Sequence, residues 1–445
     1  MTAPPSAAST RLRDVARGWW PLALSWMLMG AELPLMSAVV ARLAAPELHL
    51  AAYGGLVFPI ALLVEAPIIM MLTASTALSK HRAAYDALRR TTHRLSAILT
   101  LVHIAFAFTP LFDRVLVPLL DTPAAVVEPA RLGLMLMVPW TWAIASRRFN
   151  QGVLIRFGRP RQVTLGSMVR LAVGAVVLAI GYAAQAPGIV VATSTVIAGV
   201  LAEAAYAAYQ TLPVVRERME PGDPASVLRG RAFLRFYVPL ALTPLVTLLV
   251  QPIGAAALSR MPNAIESLAL WPVVSGLLFL FQAAGFALNE VVIALVDQRG
   301  APATLRRFSG LVAAALTAVI LLFAATPLGV LWFDGLSGLR PELALLAAGV
   351  MWFGAPIPGA RAIASWYGGV LVAGDRTRAL TESVVVFLVI CAGILALGIA
   401  DGSRPGIVVG VFAFSVARLA ETLWLAWRSR DLRAALARRD EADGA

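Results

Sequence analysis

The sequence predicts an all-α polytopic membrane protein, with twelve transmembrane helices in two pseudo-symmetric six-helix bundles. Three observations carry that expectation: composition, the length of the apolar runs, and an internal repeat. Of 445 residues, 59% are hydrophobic and 14% are charged. Ordinary soluble domains hold about 45–50% and about 25%. A soluble enzyme, a disordered chain and a disulfide scaffold are therefore excluded. The single cysteine, Cys391, lies in an apolar run, where it reads as a small core residue. No cleavable signal pattern is expected at the start, where a polar stretch from Thr2 to Thr10 leads into Arg11, Arg13 and Arg17.

A helix needs about 20 mostly apolar residues to cross the hydrocarbon core. Twelve runs meet that length: 19–44, 50–78, 95–111, 129–150, 164–182, 188–212, 236–258, 267–296, 308–333, 341–373, 381–399 and 405–427. They are apolar all round and far longer than the alternating segments of about ten residues that outer-membrane barrels use. Helices are the only spanning structure that fits them.

Basic residues orient the spans. With both termini in the cytoplasm, 29 of the 37 Lys and Arg fall on the inner side. Arg42, Arg114, Arg131, Arg260, Arg340 and Arg404 fall outside, and Arg361 and Arg418 remain within spans. The net charge of +12 is thus a topological signal and does not call for nucleic acid. Arg147 and Arg148, near the inner end of the fourth run, are expected to snorkel toward water.

The two halves repeat. Sliding the chain along itself until Pro21-Leu22-Ala23-Leu24 falls on Pro239-Leu240-Ala241-Leu242 also brings Pro34 onto Pro252 and Arg42 onto Arg260. At an offset one position shorter, Pro139 falls on Pro356, Gly152-Val153-Leu154 on Gly369-Val370-Leu371, and Arg159 and Arg161 on Arg376 and Arg378. Six spans per half make this a parallel repeat about an axis along the membrane normal. The expected division is a first bundle at 1–215, a cytoplasmic linker at 216–234, a second bundle at 235–430 and a cytoplasmic tail at 431–445. The linker centres on the polar stretch Arg216 to Arg231, with Pro221, Gly222, Asp223 and Pro224. Two facing six-helix bundles are the architecture of an alternating-access carrier.

Signatures of catalysis are missing. A Walker A loop needs Gly-Lys-Ser/Thr, and the one lysine, Lys80, follows Ser79. The histidines His49, His81, His93 and His103 show no metal-ligand spacing. No Gly-x-Ser-x-Gly elbow occurs. No enzyme, cofactor or metal is expected, and the energy source would be an ion gradient, H+ or Na+, or the substrate's own.

Ionisable residues at membrane depth cost roughly 2.5–3.5 kcal/mol on insertion scales, so each is a functional candidate. Glu32 lies near the middle of the first run, two residues before Pro34. Its repeat region holds Gln251-Pro252. Glu65, in Glu65-Ala66-Pro67, lies midway along the second run. Arg361 follows Pro356-Ile357-Pro358 in the tenth run. It cannot shed its charge and must meet a carboxylate, water or an anionic ligand. Glu32 and Glu65 are the carboxylates expected as its salt-bridge partners if no substrate holds it. Gln282, Asn289 and Glu290 mark the inner part of the eighth run, and Glu203 with Tyr206 and Tyr209 one face of the sixth. Arg418 and Glu421, three apart, read as an ion pair on one helical face. The expected substrate-binding set is Arg361, Glu32, Glu65, Gln251, Gln282, Asn289 and Glu290. The expected coupling or gating set is Glu32, Glu65, Glu203, Pro34, Pro252, Pro356 and Pro358.

These features resemble a known group. Twelve helices in two bundles look like the multidrug/oligosaccharidyl-lipid/polysaccharide (MATE-like) flippase superfamily. Within it the chain resembles the progressive ankylosis protein family. The residues that carry the likeness are Trp20-Pro21-Leu22, Glu32, Ala52-Tyr53-Gly54, Glu65-Ala66-Pro67, Arg235-Phe236-Tyr237-Val238-Pro239-Leu240, and Pro356-Ile357-Pro358 with Arg361. That family implies export of small multivalent anions of the citrate, pyrophosphate or nucleotide phosphate class, and a central arginine suits such cargo. The spacing after Pro356 and the short C-terminal tail depart from the family pattern. The alternatives are a cation-coupled multidrug exporter, with Arg361 as a structural counter-ion, and a lipid-linked oligosaccharide flippase. The expected partners are a small anion and the lipid bilayer. Arginine-rich, lysine-poor usage points to a bacterial inner membrane.

Overall fold

The computed structural model describes residues 11–223, 227, 230–374, 376 and 378–442. The polar stretch before Arg11 and the linker's Pro224 and Arg229 lie outside the described residues. The elements in chain order are α1 (Leu12–Gly30), α2 (Glu32–Val40), α3 (Pro46–Ala52), α4 (Phe58–Ile69), α5 (Met71–Leu78), α6 (Arg82–Phe108), α7 (Val117–Leu120), α8 (Ala124–Leu136), α9 (Pro139–Arg156), α10 (Pro160–Ala183) and α11 (Gly188–Glu217). Then follow α12 (Gly230–Leu248), α13 (Val250–Ser259), α14 (Ala264–Leu295), α15 (Ala301–Ala325), α16 (Pro327–Val330), α17 (Pro341–Gly354), α18 (Pro356–Ala373), α19 (Arg378–Asp401), α20 (Gly406–Arg428) and α21 (Arg430–Ala442). Wider π-helical turns occupy Tyr53–Val57, Phe112–Leu116 and Leu331–Leu336.

Ten of these helices or joined helices are long and apolar enough to cross a membrane, among the described residues. The other two expected crossings are broken pairs, α8 with α9 and α12 with α13. The all-helical expectation is borne out, but the ends differ. Helix α6 starts at Arg82 where the apolar run starts at 95, and α9 continues to Arg156 where its run stops at 150. Hydropathy registers only the apolar part of a helix, while backbone hydrogen bonding continues through polar turns.

Proline explains three of the breaks. A proline has no N–H for the carbonyl four residues back, and its ring clashes with that carbonyl. Four residues before Pro34 is Gly30, the last residue of α1. Four before Pro252 is Leu248, the last of α12. Four before Pro358 is Gly354, the last of α17. Pro67 and Pro272 sit inside α4 and α14 without ending them.

The repeat extends to the elements. At the offset that carries Pro34 onto Pro252, the break at Ala31 recurs at Leu249, and Pro46, which starts α3, recurs as Ala264, which starts α14. Local bonds recur too. Arg42 donates to the Ala38 carbonyl at 2.6 Å, and Arg260 donates to that of Ala256 at 2.6 Å. The corner Thr109-Pro110-Leu111 returns as Thr326-Pro327-Leu328. In each, the threonine hydroxyl donates to a carbonyl four residues back and accepts from the leucine N–H two residues on.

By packing, the chain forms two compact units that cut across the halves of the repeat. Unit 1 comprises Met1–Pro34, Val273–Asp401 and Ile407–Ala445; unit 2 comprises Leu35–Pro272 and Gly402–Gly406. In unit 1, α1 packs against α14 and α15, with the Trp19 indole N–H donated to the Ala284 carbonyl of α14 at 2.9 Å and its ring edge-on to Phe308 of α15. Helix α21 docks through Leu432 and Leu436 on this core. Its Arg433 donates to the Ala426 carbonyl at 2.7 Å and lies over Tyr367. The segment expected as the cytoplasmic tail is a packed helix as far as Ala442. Cys391 is fully buried in unit 1.

In unit 2, α5 and α9 approach closely at Gly152. A Cβ there would collide with the Leu72 carbonyl oxygen. The linker is pinned to the start of α6. Arg82 and Ala83 N–H groups donate to the Glu220 and Pro221 carbonyls at 2.8 and 3.0 Å. Gly222 next to them has φ of +69°, and a Cβ on it would collide with the His81 ring. Lys80, the chain's one lysine, is exposed at the turn between α5 and α6.

Candidate functional site

Each unit encloses a cluster of arginines around a glutamate. In unit 2 the centre is Glu203, halfway along α11 and 1% exposed. It accepts from Arg147 Nη1 at 2.7 Å, Gln151 Nε2 at 2.9 Å and Ser167 Oγ at 3.2 Å, with Arg170 Nη1 at 3.9 Å. Helices α9, α10 and α11 all contribute. This corrects the expectation that Arg147 snorkels. Its side chain is buried because the Glu203 carboxylate lies closer than water, about nine residues and so roughly 13 Å of helix from the end of α9. Arg148 departs from that expectation as well. It is half-buried, and its Nε is enclosed without a hydrogen-bond partner. Among the described residues it makes no ion pair. Glu65 on α4 is 5% exposed, its Oε2 has no partner, and Arg147, Arg148 and Arg170 act on it electrostatically.

In unit 1 the centre is Glu421 on α20, 5% exposed. Arg418 pairs with it across one helical turn, as its spacing suggests. Arg361 on α18 reaches it at 4.0 Å. The carboxylate expected for Arg361 was Glu32 or Glu65; the one beside it is Glu421. Arg361 also lies 4.5 Å over the Phe286 ring, and Arg418 lies 4.7 Å over that of Phe387. Both Nε atoms are buried without partners. Two arginines therefore share one carboxylate.

The offset that carries Pro34 onto Pro252 also carries Glu203 onto Glu421, so the two glutamates occupy the same place in the repeat. Their arginine partners from the fourth helix of each half do not. At the offset that carries Pro139 onto Pro356, Arg361 falls in register with Ile144, one turn before Arg147. Sliding the glutamates by the repeat offset is the signal that finds this pair in the sequence; reading span by span misses it.

The other expected residues are spread out. Glu32 opens α2 and is half-buried in unit 1, and Gln251 is half-buried on α13 in unit 2. Gln282 is buried and Asn289 half-buried on α14, whereas Glu290 is exposed. Tyr206 donates to Gln162 Oε1 at 2.6 Å, tying α11 to α10. Among the described residues no three His, Cys, Asp or Glu side chains converge as a metal site would require.

The breaks, the repeat and the paired clusters can be set beside solved structures. The chain superposes on an inward-facing multidrug resistance MATE family transporter of the MOP superfamily with a TM-score of 0.73 and 15% identity, covering 93% of this chain and 99% of that one. The fold is the MATE fold. The lipid II flippase MurJ in an inward closed conformation gives 0.72 and 12% identity, over 96% and 90% of the chains. A MOP superfamily transporter from Pyrococcus furiosus, described as having a binding pocket of reversed polarity, gives 0.61 and 12% identity, over 98% and 100%. No family model and no curated protein matches the sequence. Identities this low establish the MATE fold and nothing finer.

Proposed function

We propose that the chain is a secondary-active or facilitative carrier in a bacterial inner membrane, both termini cytoplasmic, that exports small multivalent anions by alternating access. The observation that supports this most directly is the pair Arg361 and Arg418 sharing the single carboxylate of Glu421 in unit 1. A surplus guanidinium charge in a low-dielectric interior is costly unless an anion completes it. Bidentate donors at fixed angles suit carboxylate and phosphate oxygens. The resemblance to the progressive ankylosis family adds the citrate, pyrophosphate or nucleotide phosphate class. Arg361 binds the anion in this reading. Glu421 holds the arginines in place when no anion is present. Glu32 and the breaks at Pro34, Pro252 and Pro358 supply gating, and H+ or Na+ is the coupling ion.

The test is counterflow of labelled citrate into liposomes carrying the purified protein. Intact protein takes up citrate, and Arg361→Gln lowers uptake at least about tenfold, the size of roughly 1.4 kcal/mol of lost binding. Absence of citrate flux together with flux of a cationic dye would establish the multidrug reading instead.

A further inference from the structure

Helix α9 carries three buried donors without hydrogen-bond partners, Thr141 Oγ1, Arg147 Nε and Arg148 Nε, and beside them the Trp140 indole, which faces Glu65. Positions 140 and 147 lie two turns apart on one face, and 141 and 148 lie beside them. Native proteins leave few buried polar atoms unpaired, and a row of unpaired donors on one face points to a missing acceptor. Arg148 adds a guanidinium with no ion pair among the described residues. The one unpaired acceptor in the neighbourhood is Glu65 Oε2, buried on α4. It faces Trp140 and cannot serve the rest of the row, because the three arginines around it already outnumber the carboxylates Glu65 and Glu203.

We propose that unit 2 holds a second oxyanion site, built on Arg148 and the donor face of α9, and that filling it loads a proton onto Glu65. This rests on the anion-carrier reading and adds to it a site and a coupling rule. A carboxylate or phosphate oxygen set against Arg148 brings negative charge next to Glu65. Like charges in a dry cluster do not both persist, so the carboxylate takes a proton as the anion arrives. The groups around Glu65 are Arg147, Arg148 and Trp140 from α9 and Arg170 from α10. Helix α12 brings Tyr237, whose hydroxyl is donated to the Pro67 carbonyl at 2.5 Å. Helices α6 and α13 also pack against α4; on α6, Thr92 and Ser96 are neutral and buried and His93 is exposed, and on α13 Gln251 is half-buried. Of the two carboxylates in the cluster, Glu203 accepts from Arg147, Gln151 and Ser167 whereas Glu65 Oε2 has no hydrogen-bond partner, so Glu65 receives the proton. Linkage is reciprocal: an anion that brings a proton binds more tightly as pH falls, until Glu65 is already protonated.

The experiment is calorimetric titration of the detergent-purified protein with citrate at about pH 8, where carboxylic acids are ionised. Two buffers of different ionisation heat are used, so that proton uptake is read from the difference. The Arg361→Gln protein is expected to bind citrate with uptake of about one proton. Adding Arg148→Gln abolishes that binding, Arg148→Lys restores it with affinity about tenfold weaker, and Glu65→Gln binds without proton uptake. Citrate binding by Arg361→Gln with no proton taken up, or proton-linked binding that survives Arg148→Gln, would overturn the proposal and leave the carrier reading standing. No citrate binding by the wild type would remove both.

Discussion

Glu203 is the residue on which the interior of unit 2 depends most. Three neutral or charged donors converge on it, and removing it leaves Arg147 buried and uncompensated. Breaking a buried pair from one side costs about 3–5 kcal/mol. Glu203→Leu is therefore expected to lower stability by about 3 kcal/mol or more, measured by thermal unfolding of the detergent-solubilised protein. Exposed Glu290→Gln on α14 should leave the melting curve unchanged. At this scale the sequence was legible in part. Arg418 with Glu421 follows from helical spacing. Arg361 stands out by depth. Arg147 did not, because depth was counted from the end of the apolar run, and the helix continues beyond it to Arg156. Its partner lies far along the chain, on α11, and leaves no local trace.

Among the elements, the paired glycines Gly152 and Gly369 make the sharpest comparison. Both sit where a helix touches its neighbour, and the repeat sets one upon the other. A Cβ at Gly152 would collide with the Leu72 carbonyl oxygen and meet the Thr76 nitrogen at 2.9 Å; at Gly369 it would meet the Val292 side chain at 2.5 Å. Backbone cannot yield, whereas a valine can shift. Overpacking costs about 1–3 kcal/mol, and Gly→Ala in a helix returns about 0.5–1 kcal/mol. Gly152→Ala should therefore destabilise by about 2 kcal/mol or more and Gly369→Ala by about 1 kcal/mol or less, in the same unfolding assay. Equal effects would show that the halves pack alike at this point. The helix breaks were legible because proline acts locally, through the carbonyl four residues back. Pro67 and Pro272 show the limit: neighbouring turns keep α4 and α14 continuous. The Thr-Pro-Leu corner at 109 and 326 was present in the sequence as a further repeat signal.

For the molecule as a whole, composition and the repeat offset contained the fold, since both report burial averaged over many residues. What they could not contain is which segments pack together. The first helix belongs by packing to unit 1, with the later part of the chain, although it is the start of the first half. Helix α21 is a second instance. Read as a polar tail, it carries Leu432 and Leu436 into the unit 1 core and sets Arg439 within 3.4 Å of the Val296 and Gln298 carbonyls. Deleting the chain after Ser429 exposes the apolar surface these leucines cover. It should cost about 2 kcal/mol or more at ~25 cal/mol per Å2, seen as a lower unfolding temperature.

Side-chain chemistry gives this protein an unusual convenience. Apart from the α-amine, it offers one amine, Lys80, and that amine is exposed on a turn between two spans. Its one thiol, Cys391, is sealed in the interior. A reagent that cannot cross a bilayer therefore reads, from a single acylated position, which compartment the α5–α6 turn faces. A cysteine introduced into any exposed loop would report against a silent background, without first stripping the chain of its own.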